Sequence, residues 1–142
     1  MKIAVKKLDE RAILPTRGTA AAAGMDLYAM EQTVIAAGET VLVHTGIALA
    51  IPEGYGGFIY ARSGLATKRG LAPANKVGVI DADYRGEIMV ALHNHGQSEQ
   101  TVAAGERVAQ LVVAPVLMAE LSLTDALPDT ERGEGGFGST GR

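Results

Sequence analysis

Short apolar runs alternate with polar positions along this chain, each closed by glycine, proline, aspartate or asparagine, and that rhythm predicts strands rather than helices. Ile3, Val5 and Leu8 mark a first strand that ends near Leu14-Pro15-Thr16-Arg17-Gly18. The alanine-rich run 19–23 has helical propensity. Directly after it, however, Met25, Leu27 and Ala29 alternate with Asp26 and Tyr28, so the alanines read as loop or irregular strand. Asp26 then lies on the face opposite Met25 and Leu27. Further strands are expected at 33–35 and 40–51, separated by Ala37-Gly38-Glu39, and at 58–61 after a turn at 52–57. Many short strands with glycine turns predict an all-β sandwich or barrel.

Two stretches break the rhythm. In Arg62-Ser63-Gly64-Leu65-Ala66-Thr67-Lys68-Arg69-Gly70, Ser63 can cap a short helix that Gly70 ends. An arginine and a hydroxyl at a helix start suit an anion, and an ordinary capped helix is the plain alternative. The second stretch is Gly78-Val79-Ile80-Asp81-Ala82-Asp83-Tyr84-Arg85-Gly86, entered by β-branched residues and left by the alternating Ile88, Val90 and Leu92. It reads as a hairpin. Two carboxylates, a tyrosine and an arginine at 81–85 exceed what a solvent turn requires, so the hairpin mouth is expected to bind a small molecule and act on it with a carboxylate. His93 and His95 share a strand face and invite a zinc reading, but no nearby residue completes a ligand set; they read as surface residues near a turn. Run 107–117 is the most apolar and predicts burial on both faces. Arg107 and Gln110 interrupt it, and must either pair internally or face a site.

Composition narrows the picture. The 142 residues fit one domain, and 47% apolar content with only 4% aromatic predicts an aliphatic core with apolar surface shared between subunits. A net charge of -3 without a basic run argues against nucleic-acid binding. Cysteine is absent, which excludes thiolate chemistry and suits the cytoplasm. No apolar run approaches the length of a membrane span, so no membrane partner is expected. From Pro128 the chain is Gly-rich with one large apolar residue, Phe137, which predicts a core at 1–127 and a flexible arm at 128–142. Within the arm, 133–140 has the form G-x-x-x-x-G-S-T. This is close to a phosphate loop but has Ser139 in place of lysine and no following helix.

Five segments in order resemble the motifs of the trimeric dUTPases: 23–29 (A-G-M-D-L-Y-A), 61–66 (A-R-S-G-L-A), 78–87, 106–111 (E-R-V-A-Q-L) and 132–141. Ala61 departs from the proline usual in the second motif. The resemblance implies a jelly-roll-like all-β subunit with one short helix, and a homotrimer whose three sites are shared between subunits. It also implies hydrolysis of dUTP to dUMP and pyrophosphate, which limits uracil incorporation into DNA and supplies dUMP for thymidylate synthesis. Mg2+ would ride on the triphosphate, with no direct protein ligand and Asp26 holding its waters or the partnering arginine. Asp81 matches the catalytic carboxylate. Asn75 and the backbone of Val79, Ile80 and Met89 would read the uracil edge, and Tyr84 would pack on the deoxyribose. Arg62, Ser63, Gly64 and Gln110 match phosphate-side residues. In the arm, Phe137 would close over uracil while Arg132, Gly138, Ser139 and Thr140 hold the outer phosphates. The nearest rival, dCTP deaminase, shares the fold, but its consecutive serines and following Ala-Arg are absent after Ser63. A non-catalytic nucleotide sensor is the rival of another class.

Overall fold

The computed structural model describes residues 1–136. The chain runs through β1 (Ala4–Lys7), β2 (Met25–Tyr28), β3 (Thr33–Ile35), β4 (Thr40–His44), β5 (Ile47–Ala50), β6 (Tyr55–Tyr60) and one helix, α1 (Ser63–Arg69). It continues through β7 (Leu71–Pro73), β8 (Gly78–Ile80), β9 (Met89–Asn94), β10 (Gln100–Val102) and β11 (Arg107–Pro115). The expected class, β with one short helix, is the class observed. All the strand pairs are antiparallel, and they form sheets ordered β2-β11-β6-β8, β4-β9-β7, β1-β5 and β10-β3.

Period-two alternation places the core. On β9, Val90, Leu92 and Asn94 point inward while Met89, Ala91 and His93 are half-buried. They meet Leu27, Ile35, Val43, Ile47, Leu71, Ile88, Val102, Val108 and Leu111 in an aliphatic interior. Asn94 is the polar exception. Its Nδ2 donates to Ile35 O at 3.0 Å and Ser98 O at 2.8 Å, and its Oδ1 accepts from Gly96 N–H at 2.9 Å. Burial is tolerated because each polar atom is paired.

Several expectations need correction. β1 stops at Lys7, well before Leu14, because its partner ends there: Lys7 pairs with Ile47, and the next residue back is Gly46 at φ 68°. Residues 55–57 belong to β6 rather than to the preceding turn, because Gly57 packs against the interior. A Cβ there would lie 2.7 Å from Ile51 Cδ1 and 3.1 Å from Ile80 Cβ. Gly57→Ala should therefore cost about 1–3 kcal/mol by overpacking, read as a lower urea midpoint at unchanged m-value. An unchanged midpoint would mean that the neighbours yield freely. Ser63 is the first helical residue and not the cap; Arg62 occupies the N-cap and makes no side-chain cap bond. Gly70 does end the helix, in the left-handed region at φ 66°.

The largest correction concerns the expected hairpin. β8 does not pair with β9: Gly78, Val79 and Ile80 pair with Ile59, Phe58 and Gly57 of β6, while β9 pairs with β4 and β7. The two limbs diverge into different sheets. β8 is an edge strand, and only residues 92–94 of β9 pair with β7. Backbone groups on both limbs consequently face a gap instead of each other.

After β11, Val116 N–H donates to Gly54 O at 2.9 Å, and residues 116–136 form neither helix nor strand. Leu117, Met118, Leu121, Leu123 and Leu127 stand almost fully exposed along this segment. Among the described residues, no helix is long and apolar enough to cross a membrane.

Candidate active site

The gap between β8 and β9 is a cleft of about 290 Å³. Asn75, Val79, Ile80, Asp81, Tyr84 and Met89, all expected site residues, line it together. Its base is set by small residues. A Cβ on Gly78 would lie 3.2 Å from Ile59 Cβ and 3.3 Å from the Asn75 amide nitrogen. The Asn75 turn is tight: Lys76 adopts φ 63°, and Val77 N–H donates to Asn75 O at 2.6 Å. Alternation on β8 buries Gly78 and Ile80 and leaves Val79 exposed at the rim.

Asp81 opens the turn that follows, and the turn is internally braced. Tyr84 N–H donates to Asp81 O at 3.2 Å, and Arg85 donates from its guanidinium to Ala82 O at 2.6 Å and Tyr84 O at 2.8 Å. Arg85 is thus spent on holding the turn's carbonyls. The Asp81 carboxylate is left exposed at the cleft mouth. Tyr84 folds back over Gly86, where a Cβ would come within 2.4 Å of the phenolic oxygen, and its hydroxyl donates to Glu87 O at 3.0 Å.

The residues expected on the phosphate side, Arg62, Ser63, Gly64 and Gln110, do not line this cleft. They gather instead where β2, β11 and the start of α1 meet. Asp26 Oδ1 accepts from Arg62 Nε at 2.8 Å, and Oδ2 accepts from an Arg107 guanidinium nitrogen at 3.3 Å. One carboxylate between two guanidiniums leaves a net positive spot, with Arg107 half-exposed. Gln110 Nε2 donates to Ala61 O at 2.9 Å, and Gly24 makes room for the Gln110 amide, since a Cβ would meet Oε1 at 2.5 Å. Of the two alternatives left open for Arg107 and Gln110, internal pairing is therefore observed for both. Ser63 and Gly64 are exposed beside them.

In the arm, Arg132 Nε donates to Gly135 O at 2.7 Å, a local contact only. Phe137, Gly138, Ser139 and Thr140 lie outside the described residues. His93 and His95 sit at the end of β9 with ring centroids 4.3 Å apart, His93 Nδ1 bonded to Thr40 Oγ1 at 2.9 Å. Among the described residues no three His, Cys, Asp or Glu side chains cluster as a metal cage. Sequence reasoning missed Leu42, Ile59, Pro73 and Ala91 in the cleft wall. The only signal for Leu42 was its outward phase on β4, between Val41 and the buried Val43.

The dUTPase family model matches residues 10–141 of the chain. The chain belongs to the dUTPase family. It is 49% identical to the deoxyuridine 5'-triphosphate nucleotidohydrolase of Nautilia profundicola over 142 residues, covering 100% of both chains. Among solved structures, it resembles a Staphylococcus bacteriophage 80alpha dUTPase with dUpNHpp, at TM-score 0.94 and 30% identity over 99% of each chain. It also resembles the dUTPase of phage phi11 of S. aureus, described with a structural Mg(II) ion, at TM-score 0.83 and 27% identity over 89% of this chain and 98% of that one. The divergent β8 and β9 limbs and the Asp26-centred guanidinium pair are thus found in a chain of the dUTPase family.

Proposed function

We infer that this dUTPase family member is a dUTP diphosphatase, catalysing dUTP + H2O → dUMP + pyrophosphate, and that the cleft between β8 and β9 takes the nucleoside. The observation that carries this reading is the position of Asp81. A free carboxylate stands at the mouth of a cleft whose walls offer unpaired backbone edges and the Asn75 amide. At about 290 Å³ the cleft is at the small end of ligand sites, which run to about 300–1,000 Å³. It suits a base and sugar, with the phosphates lying outside.

In this reading Asn75 and the backbone of Val79, Ile80 and Met89 pair with the uracil edge, and Tyr84 packs on the deoxyribose. Asp81 orients a water and takes its proton as the water oxygen attacks the α-phosphorus, and pyrophosphate leaves. Arg62, Ser63, Gly64 and Gln110 bind phosphates. Because they lie outside the cleft of their own chain, a second copy would supply them. The bare apolar side chains at 117–127 support the same conclusion, since an uncovered row of this kind calls for a partner surface. A homotrimer, with the arm at 128–142 of one subunit closing over another's core, accommodates all three contributions.

Mg2+ fits this arrangement as a passenger on the triphosphate, because hard oxygen ligands are plentiful there. Both Asp26 oxygens are occupied by guanidinium, so Asp26 is assigned to orienting Arg62 and would reach the ion only through water. When bound, the ion would neutralise developing phosphate charge.

Pyrophosphate release measured beside dTTP, dCTP and UTP tests the assignment. dUTP should be fastest. The added methyl of dTTP should cost roughly 10–200-fold in kcat/KM, the usual cost of one carbon in a fitted pocket. Equal rates with dTTP would refute the base-pocket assignment, and ammonia from dCTP would point instead to deamination.

A further inference from the structure

We propose that His44, acting through Glu87, is a positioning residue that fixes the Tyr84 ring and thereby sets discrimination between deoxyribose and ribose. The proposal rests on the reading of Tyr84 as the sugar-packing residue. His44 does not line the cleft; it stands behind the limb that does. Its Nδ1 lies 2.9 Å from Glu87 Oε2, and Glu87 Oε1 accepts from Gly46 N–H at 2.8 Å. An ionised carboxylate is an acceptor only, so the contact places the imidazole hydrogen on Nδ1. Glu87 thus has both oxygens committed to the turn between β4 and β5.

The same turn grips the next residue of the limb. Ile88 N–H donates to Ile47 O at 2.8 Å, and Thr45 Oγ1 donates to Ile88 O. The turn is anchored from below. Met30 N–H donates to His44 O at 2.8 Å and Leu8 N–H to Gly46 O at 2.7 Å. Gly46 has no room for a side chain, since a Cβ would lie 2.6 Å from Met30 Sδ and 2.8 Å from Ala12 Cβ. On the cleft side, Tyr84 hangs from this limb through its hydroxyl bond to Glu87 O and its contact with Gly86. The chain of contacts therefore runs from a rigid turn through His44 and Glu87 to the ring that faces the sugar. Selectivity against one extra hydroxyl by packing needs that ring held within a fraction of an ångström. Glu87 is held by two contacts, of which the Gly46 N–H alone would let the carboxylate pivot.

The test is kcat/KM for dUTP and for UTP in wild type, His44→Ala, His44→Ser and His44→Asn, with Tyr84→Ala as control. A side chain that served only folding would scale both substrates alike through the folded fraction and leave their ratio unchanged. His44→Ala and His44→Ser, both too short to reach Glu87, should each narrow the dUTP/UTP ratio by roughly tenfold, chiefly through KM. His44→Asn, whose amide can donate from near the Nδ1 position, should restore most of the ratio. His44 is about half exposed, and the serine variant covers the case in which alanine proves insoluble. A wild-type ratio in folded His44→Ala or His44→Ser overturns the proposal, as does a narrowing that His44→Asn does not rescue. If Tyr84→Ala narrows the ratio while the His44 variants do not, only the positioning step fails. If Tyr84→Ala leaves it unchanged, the sugar-packing reading fails with it.

Discussion

Asp81→Asn is expected to lower turnover of dUTP by about 10²–10⁴-fold, the usual worth of a positioned general base, with dUTP binding retained. The amide has nearly the shape of the carboxylate but cannot accept a proton from water at neutral pH. The fold should not notice the change. The contact that Asp81 makes within its turn is through the backbone, from Tyr84 N–H to Asp81 O, and the turn is braced separately by Arg85. Rapid-mix pyrophosphate release, run beside an equilibrium titration with dUTP, separates the two effects. Undiminished turnover would remove Asp81 as the base, and loss of binding with turnover per bound complex unchanged would recast it as a binding residue.

Deleting residues 128–142 should leave the core folded while lowering kcat/KM by at least about 5–150-fold. That range corresponds to losing one stacked base contact of roughly 1–3 kcal/mol, here the one assigned to Phe137. Phosphate contacts from Arg132, Ser139 and Thr140 would add to it. The core should be indifferent because its last strand ends at Pro115 and the last backbone anchor of that strand's exit is Val116 to Gly54. The described part of the arm makes only bonds within itself, such as Arg132 to Gly135 and Gly133 to Thr130. Kinetics on the truncated chain, with its melting temperature and sedimentation, check both halves. Full activity after truncation would dispose of the lid.

Strands such as β4 and β9 were legible because alternation with period two survives in them, whereas the short β7 at Leu71–Pro73 was not read as a strand. Gly70 as a helix stop was legible for a similarly local reason. The hairpin at 78–92 was not. Alternation tells which face of a strand is buried but not which strand it bonds to, and here Gly57 on β6 left the space that Ile80 occupies. Ser63 was misplaced by one position because cap preference is a local statistic, whereas Arg62 is held at the cap by Asp26 on another strand.

Residue types and their order along the chain were enough to determine an aliphatic β core and a turn dense with functional groups around Asp81. Those properties depend on neighbours within a few residues. Only the tertiary structure decided that β8 and β9 part to open a cleft, that Asp26 receives two guanidiniums from 36 and 81 residues away, and that His44 grips Glu87 across 43 residues. Contacts at such separations depend on how whole sheets pack against one another, and sheet packing is settled by the fit of many side chains at once rather than by any local pattern.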